Sequence, residues 1–128
     1  MADPIDLVRR FCAAWKDVDL DAIMAFFADD AVYHNIPVNP VQGKEQIRAT
    51  IAGFTAGVDS IEFRVRNIAA AGSTVLTERV DVFHFGGESG AHVIELPVMG
   101  TFEIDGDHVT AWRDYFDLNQ FMSQMPKS

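Results

Sequence analysis

Cysteine is almost missing from this chain. Cys12 is the single one in 128 residues, so no disulfide framework can form within it. Its place between Phe11 and Trp15, on an expected helix and with no base nearby in the pattern, reads as a buried packing thiol and not a nucleophile. Long apolar runs are missing too. None approaches the roughly 20 residues needed to span a bilayer, and the first ten residues lack a signal-peptide pattern, so no membrane and a cytoplasmic location are expected. Positive charge is scarce. Ten Lys and Arg stand against nineteen Asp and Glu, and the net charge of -9 makes a surface that repels nucleic acid and anionic membranes. Histidine is limited to His34, His84, His92 and His108, with no pair at a metal-ligand spacing, so no metal is expected. Gly86, Gly87 and Gly90 lie between strands and do not open a helix, which argues for a hairpin loop over a phosphate cradle. Repeats, low-complexity tracts and linkers are absent, and the length suits one domain over 1–128.

What is present is an ordinary globular composition, 48% hydrophobic and 23% charged. Asp3-Pro4 reads as a helix entry, followed by Ile5, Val8, Phe11, Cys12 and Trp15 at helical spacing. A second helix is expected from Asp19 through Leu20, Ile23, Met24 and Phe27, ending near Asp29-Asp30. Then the period changes to a short strand, Ala31 to Ile36, closed by Pro37, with Tyr33 and Asn35 on one face. Residues 37–43 read as a loop. A third helix starts at Lys44, aligns Ile47, Ile51 and Phe54, and has Gly57 as its C-terminal cap. From Ser60 to the end the pattern is almost all strand, with reversals at Ala71-Gly72-Ser73, Gly86 to Gly90 and Asp105-Gly106. Helices first and a four-stranded antiparallel meander after them is an α+β layout, a curved sheet wrapped over N-terminal helices.

Two stretches put charge where apolar residues belong. Side chains two apart share a strand face, so Arg79 and Asp81 point the same way as Val75, Thr77, Phe83 and Phe85. Likewise Asp114 shares a face with Trp112 and Phe116. If these faces turn inward, the core holds Asp, Arg and Asp, and buried ions cost several kcal/mol each unless paired or neutralised. A guanidinium between two carboxylates can leave one ionised and one protonated, which is an acid and a base. Tyr33 and Asn35 add a hydroxyl and an amide able to hold water. Phe83, Leu96, Val98, Phe102, Trp112 and Phe116 are the candidate lining of a pocket at the open end of such a cone. Taken singly, each of these residues has a plainer reading as core filler, surface ion pair or strand end.

The segments Val32 to Pro37, Leu76 to Asp81, and Leu96 through Asp117 with its run Trp112-Arg113-Asp114-Tyr115-Phe116-Asp117 resemble the limonene-1,2-epoxide hydrolase family. The likeness spans nearly the whole chain, and the combination of Tyr-x-Asn, Arg-x-Asp and the later Trp-Arg-Asp is its specific part. The resemblance implies the cone-shaped, NTF2-like (cystatin-like) fold shared with ketosteroid isomerase and SnoaL-like proteins, usually as a homodimer. It implies an epoxide hydrolase adding water to a small or medium apolar epoxide to give a vicinal diol, with no covalent intermediate and no cofactor. Carried over by position, Asp114 is the general base toward a water held also by Tyr33 and Asn35. Asp81 is the acid toward the epoxide oxygen, and Arg79 bridges the two. The chain starts close to its first helix, so an extension found in some relatives is expected to be missing and one end of the pocket to be covered differently.

Fold alone implies little about activity, and two other readings stand beside this one. One is a ketosteroid-isomerase-like proton shuttle, against which Arg79 argues because an oxyanion site wants neutral donors. The other is a non-catalytic ligand-binding module with a polar core that sets specificity.

Overall fold

The computed structural model describes residues 3–86 and 91–125. Asp3 caps α1 (Pro4–Ala13), its Oδ1 accepting the Ile5 N–H at 3.0 Å, and Pro4 sits in the first turn where no donor is needed. The helix buries Leu7, Val8, Phe11 and Cys12, while Trp15, just beyond its end, is fully buried as well. The second helix is shorter than its periodicity suggests. α2 (Leu20–Met24) is capped by Asp19 and stops, and β1 (Phe27–Asn35) already begins at Phe27. Sheet pairing decides this: Phe27 is opposite Val109, and the Phe26 carbonyl accepts the Val109 N–H at 2.8 Å. Asp29 and Asp30, expected at a helix end, fall where the register shifts, and two consecutive exposed residues there break the strand alternation.

Within the expected loop lies a two-residue strand, β2 (Val41–Gln42), paired with β1. α3 (Lys44–Phe54) buries Ile47 and Ile51 and is capped by Thr55 in place of Gly57. Gly57 turns the chain two residues later with φ +83, a conformation that costs a side-chain-bearing residue steric strain. β3 (Val58–Ala71), β4 (Thr74–Phe85), β5 (His92–Asp105) and β6 (His108–Tyr115) form the expected antiparallel meander. Two-residue loops at Gly72-Ser73 and Gly106-Asp107 join β3 to β4 and β5 to β6, the glycines again at positive φ. Of the reversal expected at Gly86 to Gly90, residues 87–90 lie outside the described residues.

The six strands make one open sheet in the order β2-β1-β6-β5-β4-β3. One pair is parallel: β1 lies beside β6, aligning Tyr33 with Trp112 and Asn35 with Asp114. A last helix, α4 (Leu118–Met122), replaces the strand expected at the C-terminal end, with Asp117 Oδ1 accepting the Gln120 N–H. The Asp117-x-x-Gln120 capping spacing was its sequence signal. Helices α1 and α3 pack on the sheet's concave face, and the core forms between them. Phe11 is its hub, meeting Trp15, Phe27, Phe102 and Trp112 edge to face at 5.0 to 5.9 Å. No helix among the described residues is long and apolar enough to cross a membrane.

Candidate active site

Strict alternation along β4 turns Val75, Thr77, Arg79, Asp81 and Phe83 into the concave interior and leaves Leu76 and Glu78 outside. β6 does the same for Trp112 and Asp114. The adjoining strand β5 contributes Leu96, Val98, Gly100 and Phe102 between them. Three charged side chains therefore meet in the core. Arg79 is 1% exposed, Asp81 3% and Asp114 5%.

All five N–H groups of Arg79 are used. Nε donates to Asp81 Oδ1 at 2.9 Å, and Nη2 donates both to Asp81 Oδ2 and to Asp114 Oδ2 at 2.9 Å each. Nη1 donates to Asp114 Oδ1 at 3.3 Å and to Thr77 Oγ1 at 3.0 Å. Each aspartate thus faces one forked edge of the guanidinium, the geometry in which Arg holds carboxylates best. Trp112 Nε1 donates a further bond to Asp114 Oδ1 at 2.7 Å. Above the guanidinium lies the Phe63 ring, 4.7 Å from Cζ to centroid, so its face meets positive charge.

Burial and charge pull these groups in opposite directions. Removal from water raises the Asp81 carboxyl from its ordinary value to about 6, although the charge and hydrogen bonds of Arg79 oppose the rise. Burial also works against the Arg79 cation, but the two carboxylates outweigh it and hold its pKa well above the usual value. With one proton on Asp81 the trio carries one positive and one negative charge, so the interior is neutral as a set.

The space in front of the two aspartates is a cavity of about 80 Å³ lined by Tyr33, Asn35, Asp81 and Asp114 and by the apolar side chains of Phe54, Phe63, Phe83, Leu96, Val98, Trp112, Phe116 and Phe121. All five polar residues singled out from sequence converge here, four on the wall and Arg79 directly behind it. Tyr33 stacks on Trp112 with centroids 4.5 Å apart, and burial pushes its hydroxyl above the usual phenol range, so it stays a neutral donor. Asn35 is held next to Asp114 by the parallel pairing of β1 with β6.

Five of the six apolar residues expected in the pocket do line it. Phe102 does not: it is fully buried one layer deeper, stacked on Trp112 at 5.4 Å and filling the core under Arg79. In its place come Phe54, Phe63 and Phe121, which sequence reasoning left out of the pocket. Phe54 and Phe63 were legible as inward positions of a helix and a strand. Phe121 depends on α4, which carries it onto Phe83 at 5.6 Å. Gln124 secures that segment, its side-chain amide donating to the Glu95 carbonyl and accepting the Glu95 N–H. His34 and His84 sit away from the cavity, bonded to the Val38 carbonyl and to Glu62. Cys12 is buried, and desolvation raises its thiol to about 12, which keeps it protonated and inert.

The arrangement can give a proton from one carboxyl and take one at the other across a small apolar space. Known proteins resemble this chain in sequence and in fold. Residues 2–127 match the family model described as the limonene-1,2-epoxide hydrolase catalytic domain. Epoxide hydrolase EphG of Mycobacterium tuberculosis is 34% identical over 111 residues, 87% of this chain and 71% of the relative. A solved M. tuberculosis LEH-like epoxide hydrolase superposes with a TM-score of 0.79 at 30% identity, over 94% of this chain and 87% of that one. An NTF2-like protein of Anabaena variabilis, at 17% identity, shares the fold with a TM-score of 0.72 over 88% and 84% of the two chains.

Proposed function

The chain belongs to the limonene-1,2-epoxide hydrolase family, and from that premise we propose that it adds water to a small apolar epoxide in a single acid- and base-assisted step. The observation that carries this reading is the Arg79 guanidinium shared between the two carboxylates of one cavity, one of them raised to about 6 by burial. An epoxide oxygen leaves as a costly alkoxide unless protonated, and neutral water is a poor nucleophile. Pushing and pulling together lowers both barriers.

Asp114 takes a proton from the water, which Tyr33 and Asn35 hold with it. The water oxygen bonds to a ring carbon, the carbon–oxygen bond of the ring breaks, and Asp81 gives its proton to the departing oxygen. The product is a vicinal diol, and the enzyme is left with Asp81 ionised and Asp114 protonated. Total charge never changes. The negative charge only moves from one partner of Nη2 to its other partner, so the buried guanidinium is balanced at the start and at the end. Return of the proton from Asp114 to Asp81 resets the site.

The lining is aromatic and aliphatic apart from the reacting groups, which favours an apolar substrate. Its free volume is below the roughly 150 Å³ of a dry cavity that admits benzene, which supports the small end of the substrate range. A homodimer belongs to the same reading through the family resemblance. The test is incubation with a panel of apolar epoxides of graded size, assayed for diols. A single turnover in oxygen-labelled water is expected to put label into the diol at once. Label arriving only in later turnovers would mean an ester on the enzyme and overturn direct attack.

A further inference from the structure

Four of the five Arg79 donors face the two aspartates, and the fifth goes to a residue outside the cavity. Thr77 is fully buried, accepts from Nη1 at 3.0 Å, and donates its own hydroxyl proton to the Gly100 carbonyl at 3.3 Å. With its proton committed there, the hydroxyl presents a lone pair to Arg79. Strand register makes this contact obligatory, because Thr77 of β4 and Asp114 of β6 both pair with Gly100 of β5. Gly100 therefore lies under the guanidinium, at the middle of the three strands that carry the site.

Its lack of a side chain is a matter of space and not of backbone, since it is not among the glycines with positive φ. A Cβ built there would collide with Arg79 Nη1 and come within 2.6 Å of Asp114 Oδ1 and 3.0 Å of Thr77 Oγ1. These three nearest atoms all belong to the hydrogen-bond network of Arg79. On a strand whose inward positions are otherwise Ile94, Leu96, Val98, Phe102 and Ile104, one empty position is what lets the guanidinium reach Asp114.

We infer that Thr77 and Gly100 form a socket that fixes the rotation of the Arg79 guanidinium, and so are positioning residues for the pair of aspartates. Asp81 holds Nε and shares Nη2 with Asp114, while Asp114 shares Nη1 with Thr77. Tilting of the guanidinium on its Asp81 contact decides whether Nη1 and Nη2 both face Asp114, and Thr77 supplies the stop. The kinetic part of the inference rests on the hydrolase reading above, whereas the geometric part does not.

The experiment is nitrogen-15 NMR of the Arg79 side chain without substrate, together with kinetics on the best epoxide from the panel. Wild-type protein is expected to show separate, slowly rotating Nη protons for Arg79. In Thr77→Val, which keeps the shape and loses the acceptor, the Nη1 signals should merge and kcat should fall about 10- to 100-fold with KM within about twofold. Thr77→Ser should restore both, and Gly100→Ala should lose both. Wild-type Nη rotation and kcat in a folded Thr77→Val or Gly100→Ala would overturn the socket. So would an effect on KM alone. If neither variant folds, the wild-type spectrum decides: Nη1 protons of Arg79 that rotate as freely as those of exposed Arg64 would sink the inference. Absence of diol with every epoxide would defeat the hydrolase reading and leave the NMR result standing.

Discussion

Two arginine–carboxylate clusters occupy opposite faces of the same sheet, and they behave in opposite ways. On the convex face Arg64 contacts Glu62 at 3.3 Å and Glu95 at 3.7 Å, while His84 contacts Glu62 at 2.9 Å. On the concave face Arg79 holds Asp81 and Asp114. Hydrogen bonds from His84 and Arg64 keep Glu62 below its ordinary carboxylate value, whereas burial lifts Asp81 above its own in spite of Arg79. Both carboxylates have an arginine partner. What differs is water: the outer groups stay hydrated and gain from every neighbouring donor, and the inner ones lose a solvation that their partner only partly replaces. Removal of solvent is what lets a carboxyl keep its proton beside an arginine.

The sharpest way to break that comparison is by turnover. Asp81→Asn and Asp114→Asn are each expected to lower kcat by about 10²- to 10⁴-fold with the fold intact, the range for losing a general acid or base. Glu62→Gln is expected to leave diol formation unchanged. A comparable loss in Glu62→Gln would place essential chemistry on the outer face.

Stability should separate the faces next. Arg79→Met leaves buried carboxylates without their cation and is expected to cost about 3–5 kcal/mol in urea unfolding. Arg64→Met should leave the unfolding midpoint where it is, since its partners are solvated.

Dependence on pH is the smallest effect and has opposite signs on the two faces. Asp81, raised from 3.8 to about 6, binds its proton more tightly in the folded chain. Its contribution to stability is full below the unfolded value and is lost as pH rises through about 6. Glu62, lowered, contributes above its unfolded value and loses that contribution as pH falls through the folded one. The stability difference between wild type and Asp81→Asn should therefore shift in favour of the variant as pH rises. In kinetics, kcat/KM should fall above about pH 6 as the acid loses its proton. A flat profile through that range would show that Asp81 is not the acid.

Much of the site was legible because strand periodicity is local. Once Arg79, Asp81 and Asp114 are seen on apolar strand faces, their inward direction follows from the pleat, and their proximity needs only a meander to bring β4 and β6 one strand apart. Phe102 shows where that reasoning stops. It obeys the same alternation as Val98, yet depth along the cone puts one in the cavity wall and the other beneath it. Phe27 shows the converse, a residue with helical spacing that a distant partner, Val109, draws into a strand. Gly100 carried no signal at all, because nothing local distinguishes a glycine that makes room from one that merely weakens a strand.

The order of residues by itself determined the α+β layout, the inward faces and the candidate charged groups on them, since each depends on periods of two or 3.6 along the chain. Only the folded molecule decided that β1 runs parallel to β6, that α4 brings Phe121 to the cavity, and that one guanidinium spends all five of its donors on three partners. Those are relations between strands far apart in sequence. Exclusion of water, which separates Asp81 from Glu62, is a property of the packed interior and of no single segment.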